Sequence, residues 1–503
     1  MRLKISARKS DLARLQAYMV GDSLKAQTPG LEIEYRFKES LGDKNLTDAL
    51  WQIPEKGVFT EDFYGELIRG ETDMVVHSWK DLPTEVKADT AIVATLPRAD
   101  QRDLLLVKKS HFEKLRTSKA MRVFSSSPRR EYNLTGFFKS HLPFHLDSVK
   151  FESVRGNIPT RIRKLLEANE TDGLIVAKAA LDRLLTAPQE EFADVQKLLR
   201  GYLDQLEWMA LPLSINPNAA AQGALAVEIL ATRSDMRELL SKIDHPSTFA
   251  CADKERKVLA SFGGGCHQKI GVAVLSRPYG EITILKGLTD AGVVLDKREL
   301  IPHTPVTKYS SEQMWSGEVS AERAALTDWT LPNGTNALYV ARSEAWPETL
   351  QAGTHYVWTA GLKTWKSLAQ KGIWVHGSSE SMGEQEEARL DILAGVPVKW
   401  AKLSHDSGFQ EDHKVMPLVA TYTLHTKENF KSLSGKETFF WSSGSQFLAA
   451  AEQAPEILKK QHACGPGNTH KVIQQYLAEK NMYDPSCLRI FLDQEDWRQQ
   501  CTK

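Results

Sequence analysis

The sequence predicts an α/β protein: two paired α/β lobes, then a small α+β domain, then a further α/β domain. Three observations predict it. Short β-branched runs alternate with amphipathic stretches over residues 1–230, the rhythm of layered α/β folds. A helical stretch followed by three strand-like runs then breaks that rhythm over 245–315. Finally, Pro332-Asn333-Gly334 supplies strong turn chemistry, and the α/β pattern restarts beyond it.

Each element follows from its local pattern. LKISA (3–7) reads as a strand, and residues 12–24 as a helix with Leu12, Leu15, Met19 and Leu24 on one face. LEIEYRF (31–37), MVVHS (74–78) and AIVATL (91–96) read as strands, and FYGELIRG (63–70) as a helix. The second lobe repeats the pattern. LLLVKK is followed by MRVFSSS and a helix from Pro128, then by VKFES, a helix from Pro159, and GLIVA. A helix over 248–260 precedes IGVAVLS, EITILKGLT and GVVLDKREL. Residues 311–326 look helical, and 328–336 read as a linker. ALYVARS, HYVWTAG, GIWVHGSS, ETFFWSSGS and LRIFLD then give the strands of the last domain. The expected domains are 1–100 with a return segment at 217–242, then 101–216, 243–327 and 337–503.

The chain of 503 residues is too long for one domain, and its 42% hydrophobic and 25% charged content is ordinary for a globular protein. Net charge is zero, so no global field recruits nucleic acid or an anionic membrane. No apolar signal region opens the chain, and no run is long enough to span a bilayer. The five cysteines are odd in number and dispersed, which argues for free thiols in a reducing cytosol, and no cluster suggests a metal. A cytoplasmic monomer is expected.

Strand-to-helix junctions are natural anion sites, because free N–H groups and the helix dipole point there. Arginine or hydroxyl groups stand at three of them: SARKS (6–10), SSSPRR (125–130) and VRGNIPTRIRK (154–164). Between Arg122 and Arg163 there are six arginines and three acids. A solvated helix face would explain any one cluster, but three at the carboxyl ends of strands suggest a ligand. The arginine fork suits carboxylates and phosphates, and the absence of a phosphate loop disfavours nucleotides. In HSWKDLP (77–83), Asp81 follows Lys80 just beyond an apolar run, and Pro83 keeps Leu82 extended. Such a carboxylate can stabilise a developing positive charge and move a proton; an N-cap or a surface ion pair would also account for it. In GGGC (263–266), three glycines allow a bulky group to approach Cys266, whereas Cys251 reads as a core residue.

Taken together, these segments resemble porphobilinogen deaminase, also called hydroxymethylbilane synthase. The resemblance covers residues 1–315 and rests on SARKSDLARLQA, EKGVFTEDFYGEL, TDMVVHSWKDLPTE, VRGNIPTRIRKL, DGLIVAKAALDRL, AAAQGALAVE and GGGCHQKIG, in that order. It implies two periplasmic-binding-protein-like lobes and a third domain. It also implies tetrapolymerisation of porphobilinogen, with loss of ammonia, on a dipyrromethane cofactor thioether-linked to Cys266. The catalytic residue is then Asp81, with Lys80 beside it. The cofactor would be held by Arg8, Ser10, Asp43, Lys56, Lys80, Asp81, Ser125, Ser126, Ser127, Arg129, Arg130, Arg155 and Gly156. Substrate would meet Arg8, Phe59, His77, Ser78, Arg161, Arg183 and Gln222. The chain departs from the family pattern at Leu41, at Phe124 and Pro128, and at Lys269.

VATYTLHTKENFKSLSGKETFFWSSGSQFLAAAEQ (419–453) and HACGPGNTHKVIQQYLAEKNM (462–482) resemble the last third of uroporphyrinogen-III synthase. WTAGLKTWKSLAQKGIWVHGSSES and LYVARSEAW resemble earlier parts of it. By this resemblance the last domain cyclises hydroxymethylbilane to uroporphyrinogen III, with Tyr422, Ser442, Ser443 and Thr469 as pocket residues and Arg342 and Ser378 as secondary candidates for the same pocket. The alternatives are a degenerate C-terminal interaction domain and, for the first two lobes, an anion-binding module without catalysis.

Overall fold

The computed structural model describes residues 2–39, 61–85, 87–264, 268–317, 320–351, 353–406, 416–427, 430 and 433–503. It divides into two compact units. Residues 1–139, 145–276 and 283–298 form the first, and 140–144, 277–282 and 299–503 the second.

The first unit contains β1 (Arg2–Arg8), β2 (Glu32–Lys38), β3 (Met74–Ser78), β4 (Thr90–Ala94) and β5 (Asp103–Lys108). It continues through β6 (Ala120–Phe124), β7 (Ser148–Glu152), β8 (Gly173–Ala177), β9 (Leu206–Ala210) and β10 (Leu225–Leu230). These build two sheets of like design, β2-β1-β3-β10-β4 and β7-β6-β8-β5-β9. In each, three parallel strands are followed by one that runs antiparallel to both its neighbours. β10 joins the first sheet from far along the chain. β5 and β8 are buried along their whole length, which matches their continuous apolar runs. The helix Asp11–Gln27 buries Leu15, Val20 and Leu24.

The carboxyl ends of β1, β6 and β7 lead into the helices Asp11–Gln27, Pro128–His141 and Ile158–Glu167, and β3 leads into a short 3₁₀ turn, Trp79–Asp81. These are the junctions at which the basic and hydroxyl residues cluster. The helix Pro246–Ser261 then precedes a small sheet, β11 (Lys269–Arg277), β12 (Gly280–Leu288) and β13 (Val294–Pro302). Cys251 is buried on that helix, as expected.

The second unit has two sheets. One is all parallel, with β14 (Met314–Ser316) beside β21 (Thr438–Trp441), β22 (Gln461–Cys464) and β23 (Leu488–Ile490). The other contains β15 (Ser320–Ala325), β16 (Ala337–Val340), β17 (Tyr356–Thr359), β18 (Gly377–Ser378), β19 (Trp400–His405) and β20 (Leu418–Lys427), in the order β15-β20-β19-β16-β17-β18.

The helix expected over 311–326 does not form: a 3₁₀ turn, Ser311–Gln313, leads into β14 and then β15. Tertiary pairing overrides local propensity here. Trp315 pairs with Phe439 and packs on Trp441, ring centroids 5.1 Å apart, while β15 zips antiparallel onto β20. The Pro332–Gly334 turn, with Gly334 at φ 77°, thus connects two strands of one sheet.

His462 lies in the core of this unit, 1% exposed among Phe439, Trp441 and Phe447. Trp441 Nε1 donates to its Nδ1 at 3.0 Å, and its Nε2 has no partner. Burial lowers its pKa to about 4. The unfolded chain takes up this proton near the ordinary value and the folded chain does not. The stability is therefore complete above about pH 6.5 and falls as pH drops towards 4, by up to about 3 kcal/mol. Urea unfolding at pH 7.5 and pH 5, followed by tryptophan fluorescence, should reveal this loss. His462→Gln, which keeps an acceptor for Trp441 but cannot titrate, should flatten it.

Candidate functional site

The centre of the site is the turn after β3. Trp79 is 2% exposed and packs on Phe249 at 5.0 Å between centroids, which pins the turn from beneath. Asp81 is thereby carried outward and is exposed, and among the described residues its carboxylate accepts no hydrogen bond. It lines an open pocket of about 450 Å³ with Arg8, Ser10, Gln16 and Ser78. Ser10 caps the helix Asp11–Gln27 by position, yet its hydroxyl makes no capping bond. Ser78 Oγ donates to Gln16 Oε1 at 3.0 Å. The structure thus gathers Arg8, Ser10, Ser78 and Asp81 around one opening.

Lys80 turns the other way. Its Nζ donates to Gln222 Oε1 at 3.2 Å. Burial, with Arg130 and Arg129 nearby, lowers its pKa against the opposing pull of Asp81 and Asp103. Gln222 in turn donates to Asp103 Oδ1 at 3.0 Å. The Asp103 carboxylate, 1% exposed, also accepts from Arg129 Nη2 at 2.8 Å, Arg130 Nε at 3.0 Å, Arg130 Nη2 at 2.7 Å and Asn216 Nδ2 at 2.8 Å. Arg129 Nη1 reaches Asn216 Oδ1 and the Pro217 carbonyl, and Arg130 Nη1 the Ile175 carbonyl. Against the cost of burial, these arginines hold the Asp103 pKa far below the carboxylate range.

Arg129, Arg130 and Gln222, expected to meet cofactor or substrate, bond here to Asp103, to neighbouring side chains and to the backbone. His77 is likewise committed, its Nε2 3.0 Å from Glu228 Oε2 while Thr90 Oγ1 donates to Glu228 Oε1. Burial pushes the Glu228 carboxyl up, but the bonds from His77 and Thr90 outweigh it and hold the pKa low. Arg183 is buried and donates to the Gly223 carbonyl at 2.7 Å, with Nε unpaired. Burial lowers its pKa to about 10. Ser126 Oγ donates to the Val154 carbonyl and accepts from Val154 N–H, which ties the end of β6 to the loop after β7. Ser125 Oγ accepts from Ser127 N–H at 3.3 Å.

Arg161, expected to meet substrate, is bonded differently. It lies in the first turns of the helix Ile158–Glu167, capped by Asn157. Its Nε donates to the Gly156 carbonyl at 2.7 Å, and its two terminal nitrogens meet no acceptor among the described residues. Gly156 adopts φ 116°, and a Cβ there would strike Thr160. Burial first, then Arg130 and Arg155, lower the Arg161 pKa to about 10, opposed by Asp81. Arg161 therefore shares an electrostatic neighbourhood with Asp81, although the two stand on different lobes.

The helix Pro246–Ser261 closes the site from a third side. Glu255, fully buried, accepts both terminal nitrogens of Arg98, and also Asn218 Nδ2 and the N–H groups of Ala221 and Val274. Just past this helix, Gly264 at φ 64° packs so close to Thr84 that a Cβ would lie 2.2 Å from its Oγ1. The chain two residues before Cys266 thus abuts a residue three beyond Asp81. Cys266, Asp43, Lys56 and Phe59 lie outside the described residues. Asp103, Glu255 and Arg98 were not anticipated; the one signal was an acid opening the apolar run of β5.

In the second unit, Ser442 and Ser443 sit on the loop after β21, and Thr469 in the first turn of the helix Asn468–Glu479 that follows the neighbouring parallel strand β22. Ser442 Oγ donates to Gln446 Oε1, and Ser443 Oγ caps its helix by accepting from Gln446 N–H. Tyr422 belongs to the other sheet, buried on β20 with its ring 5.8 Å from His405. Arg342 is exposed, and Ser378 is buried, accepting from Glu380 N–H. Among the described residues, no helix is long and apolar enough to cross a membrane, and no cluster of His, Cys, Asp and Glu could hold a metal ion.

The family model "Porphobilinogen deaminase, dipyromethane cofactor binding domain" matches residues 3–238, which makes the first unit a dipyrromethane-binding enzyme of porphyrin biosynthesis. The porphobilinogen deaminase of Syntrophomonas wolfei is 35% identical over 286 residues, covering 57% of this chain and 84% of that protein. The porphobilinogen deaminase of a Nostoc species is 35% identical over 271 residues, covering 54% and 76%. The crystal structure of YhfZ from Shigella flexneri covers 53% of this chain and 92% of its own, at 15% identity and a TM-score of 0.25, a likeness that carries no argument. The chain belongs to the porphobilinogen deaminase family.

Asp103→Ala should leave two buried guanidinium groups uncompensated and cost about 3–5 kcal/mol. Urea unfolding should detect it, whereas Arg161→Leu should leave the stability nearly unchanged.

Proposed function

We propose that Asp81 is the catalytic acid of the deaminase, that Cys266 carries the dipyrromethane, and that Arg8, Arg155 and Arg161 hold the acetate and propionate groups of the growing chain. The observation that carries this reading is the exposed Asp81 carboxylate lining the pocket, with no hydrogen-bond partner among the described residues. It stands near an arginine with two unclaimed donors and on a turn packed against the loop that leads to Cys266. The residues present fit the cofactor: arginine forks suited to its carboxylates, and a glycine approach where a side chain would collide.

When bound, the dipyrromethane supplies the electron-rich pyrrole carbon to which porphobilinogen units are added. Asp81 stabilises the positive charge that develops on the substrate pyrrole as ammonia leaves, and accepts the proton lost after carbon–carbon bond formation. Each addition brings two further carboxylates. Arg161 can take one bidentately through its terminal nitrogens, with its Nε anchored on Gly156. Arg129 and Arg130 contribute the fixed positive charge behind the cleft rather than direct contacts.

We further propose that the C-terminal region cyclises hydroxymethylbilane to uroporphyrinogen III. Two loops that open helices at adjacent carboxyl strand ends offer N–H groups and hydroxyls suited to carboxylates. The bonds that already occupy Ser442 and Ser443 favour the rival reading, a domain retained for interaction. The free thiols at Cys251, Cys464, Cys487 and Cys501 support a reducing, cytoplasmic setting, and we propose that the chain works there as a monomer.

Intact mass should reveal one dipyrrole adduct on the wild-type chain and none on Cys266→Ser; an adduct retained by that variant would defeat the attachment site. Asp81→Ala should lower turnover by several orders of magnitude while the adduct and fold persist, and near-normal turnover would remove Asp81 from its role. With porphobilinogen as sole substrate, the full chain should yield mainly uroporphyrinogen III. Isomer I as the main product would make the C-terminal region an interaction domain.

A further inference from the structure

We infer that Arg256 is a positioning residue for Asp81. Through it, the helix leading to the cysteine loop sets the orientation of the catalytic turn. The inference rests on the proposed role of Asp81.

Arg256 lies on the helix Pro246–Ser261, beside Glu255. Its Nη1 donates to the carbonyls of Trp79 at 3.1 Å and Leu82 at 3.2 Å, and its Nη2 donates to the Pro83 carbonyl. These three acceptors bracket Lys80 and Asp81. The turn is only three residues long, and its other main-chain ties are the Trp79 N–H to the Ala224 carbonyl and the Leu82 N–H to the Trp79 carbonyl. No described residue bonds the Asp81 carboxylate itself. Its direction is therefore set by the backbone beneath it, and one guanidinium holds that backbone on both sides.

The base of the clamp is rigid. Glu255 ties the same helical turn to Arg98, Asn218, Ala221 and Val274. Phe249, on the same helix, packs tilted against Trp79, and Gly264 packs on Thr84. A planar fork with donors in fixed directions can engage several carbonyls at once, which a lysine ammonium on a flexible stem cannot reproduce. An arginine serving stability alone would have no reason to gather carbonyls from both sides of one acid.

The test uses the full chain. Arg256→Gln should fold and carry the dipyrrole adduct by intact mass, with KM for porphobilinogen within about threefold of wild type. Its kcat should fall by about 10- to 100-fold, the scale of an ångström-sized misplacement. Arg256→Lys should recover part of that loss. Because Arg256 acts through Asp81, its loss and that of Asp81→Glu should combine to less than their product in the double variant. An unchanged kcat, multiplicative losses, a missing adduct, or an effect confined to melting temperature would each overturn the inference. Asp81→Ala turning over at the wild-type rate would instead sink the prior assignment of the acid.

Discussion

Much of the first unit depends on one buried carboxylate, that of Asp103. Five donors converge on it from four residues in two distant segments of the chain. They come from the helix after β6 and from the crossover between β9 and β10. Asp103 itself opens β5, the strand reached by the other crossover. A charge this deep is tolerable only when every lone pair is occupied. The geometry therefore favours a single arrangement of both crossovers and of the Pro128–His141 helix. Through Gln222 the same network reaches Lys80 and so the back of the Trp79–Asp81 turn.

This arrangement divides the basic residues of the cleft into two groups. Arg129 and Arg130 bond the buried Asp103 carboxylate and backbone carbonyls. Arg161 retains two donors and stands at a helix start, where a carboxylate also gains from the helix dipole. Sequence proximity does not separate these groups, since all three arginines follow strands in similar contexts. The presence or absence of a buried acid partner separates them.

The strands and helices of the first unit were legible in the sequence because their apolar runs are long and regular. GLIVA and MVVHS became strands with the expected bounds. The helix expected at 311–326 failed because its apolar residues had distant strands to join, which no local window registers. In the site, Asp81, Ser10 and Arg161 were readable as polar groups at strand ends. The commitment of His77 to Glu228 and of Arg129 to Asp103 was not, since those partners lie 151 and 26 residues away. Long-range pairing is the information that periodicity lacks.

β14 and β15 are near neighbours in sequence but belong to different sheets, so residues 314–325 stitch the two layers of the second unit together. Any division of this chain into separately produced halves has to respect that seam. A cut at the Pro332–Gly334 turn would leave the first piece ending in two strands without partners. Such orphaned edges invite association between copies. Tyr309 N–H already bonds the Cys501 carbonyl. The natural place to sever the halves is therefore the short run between the end of β13 at Pro302 and Tyr309.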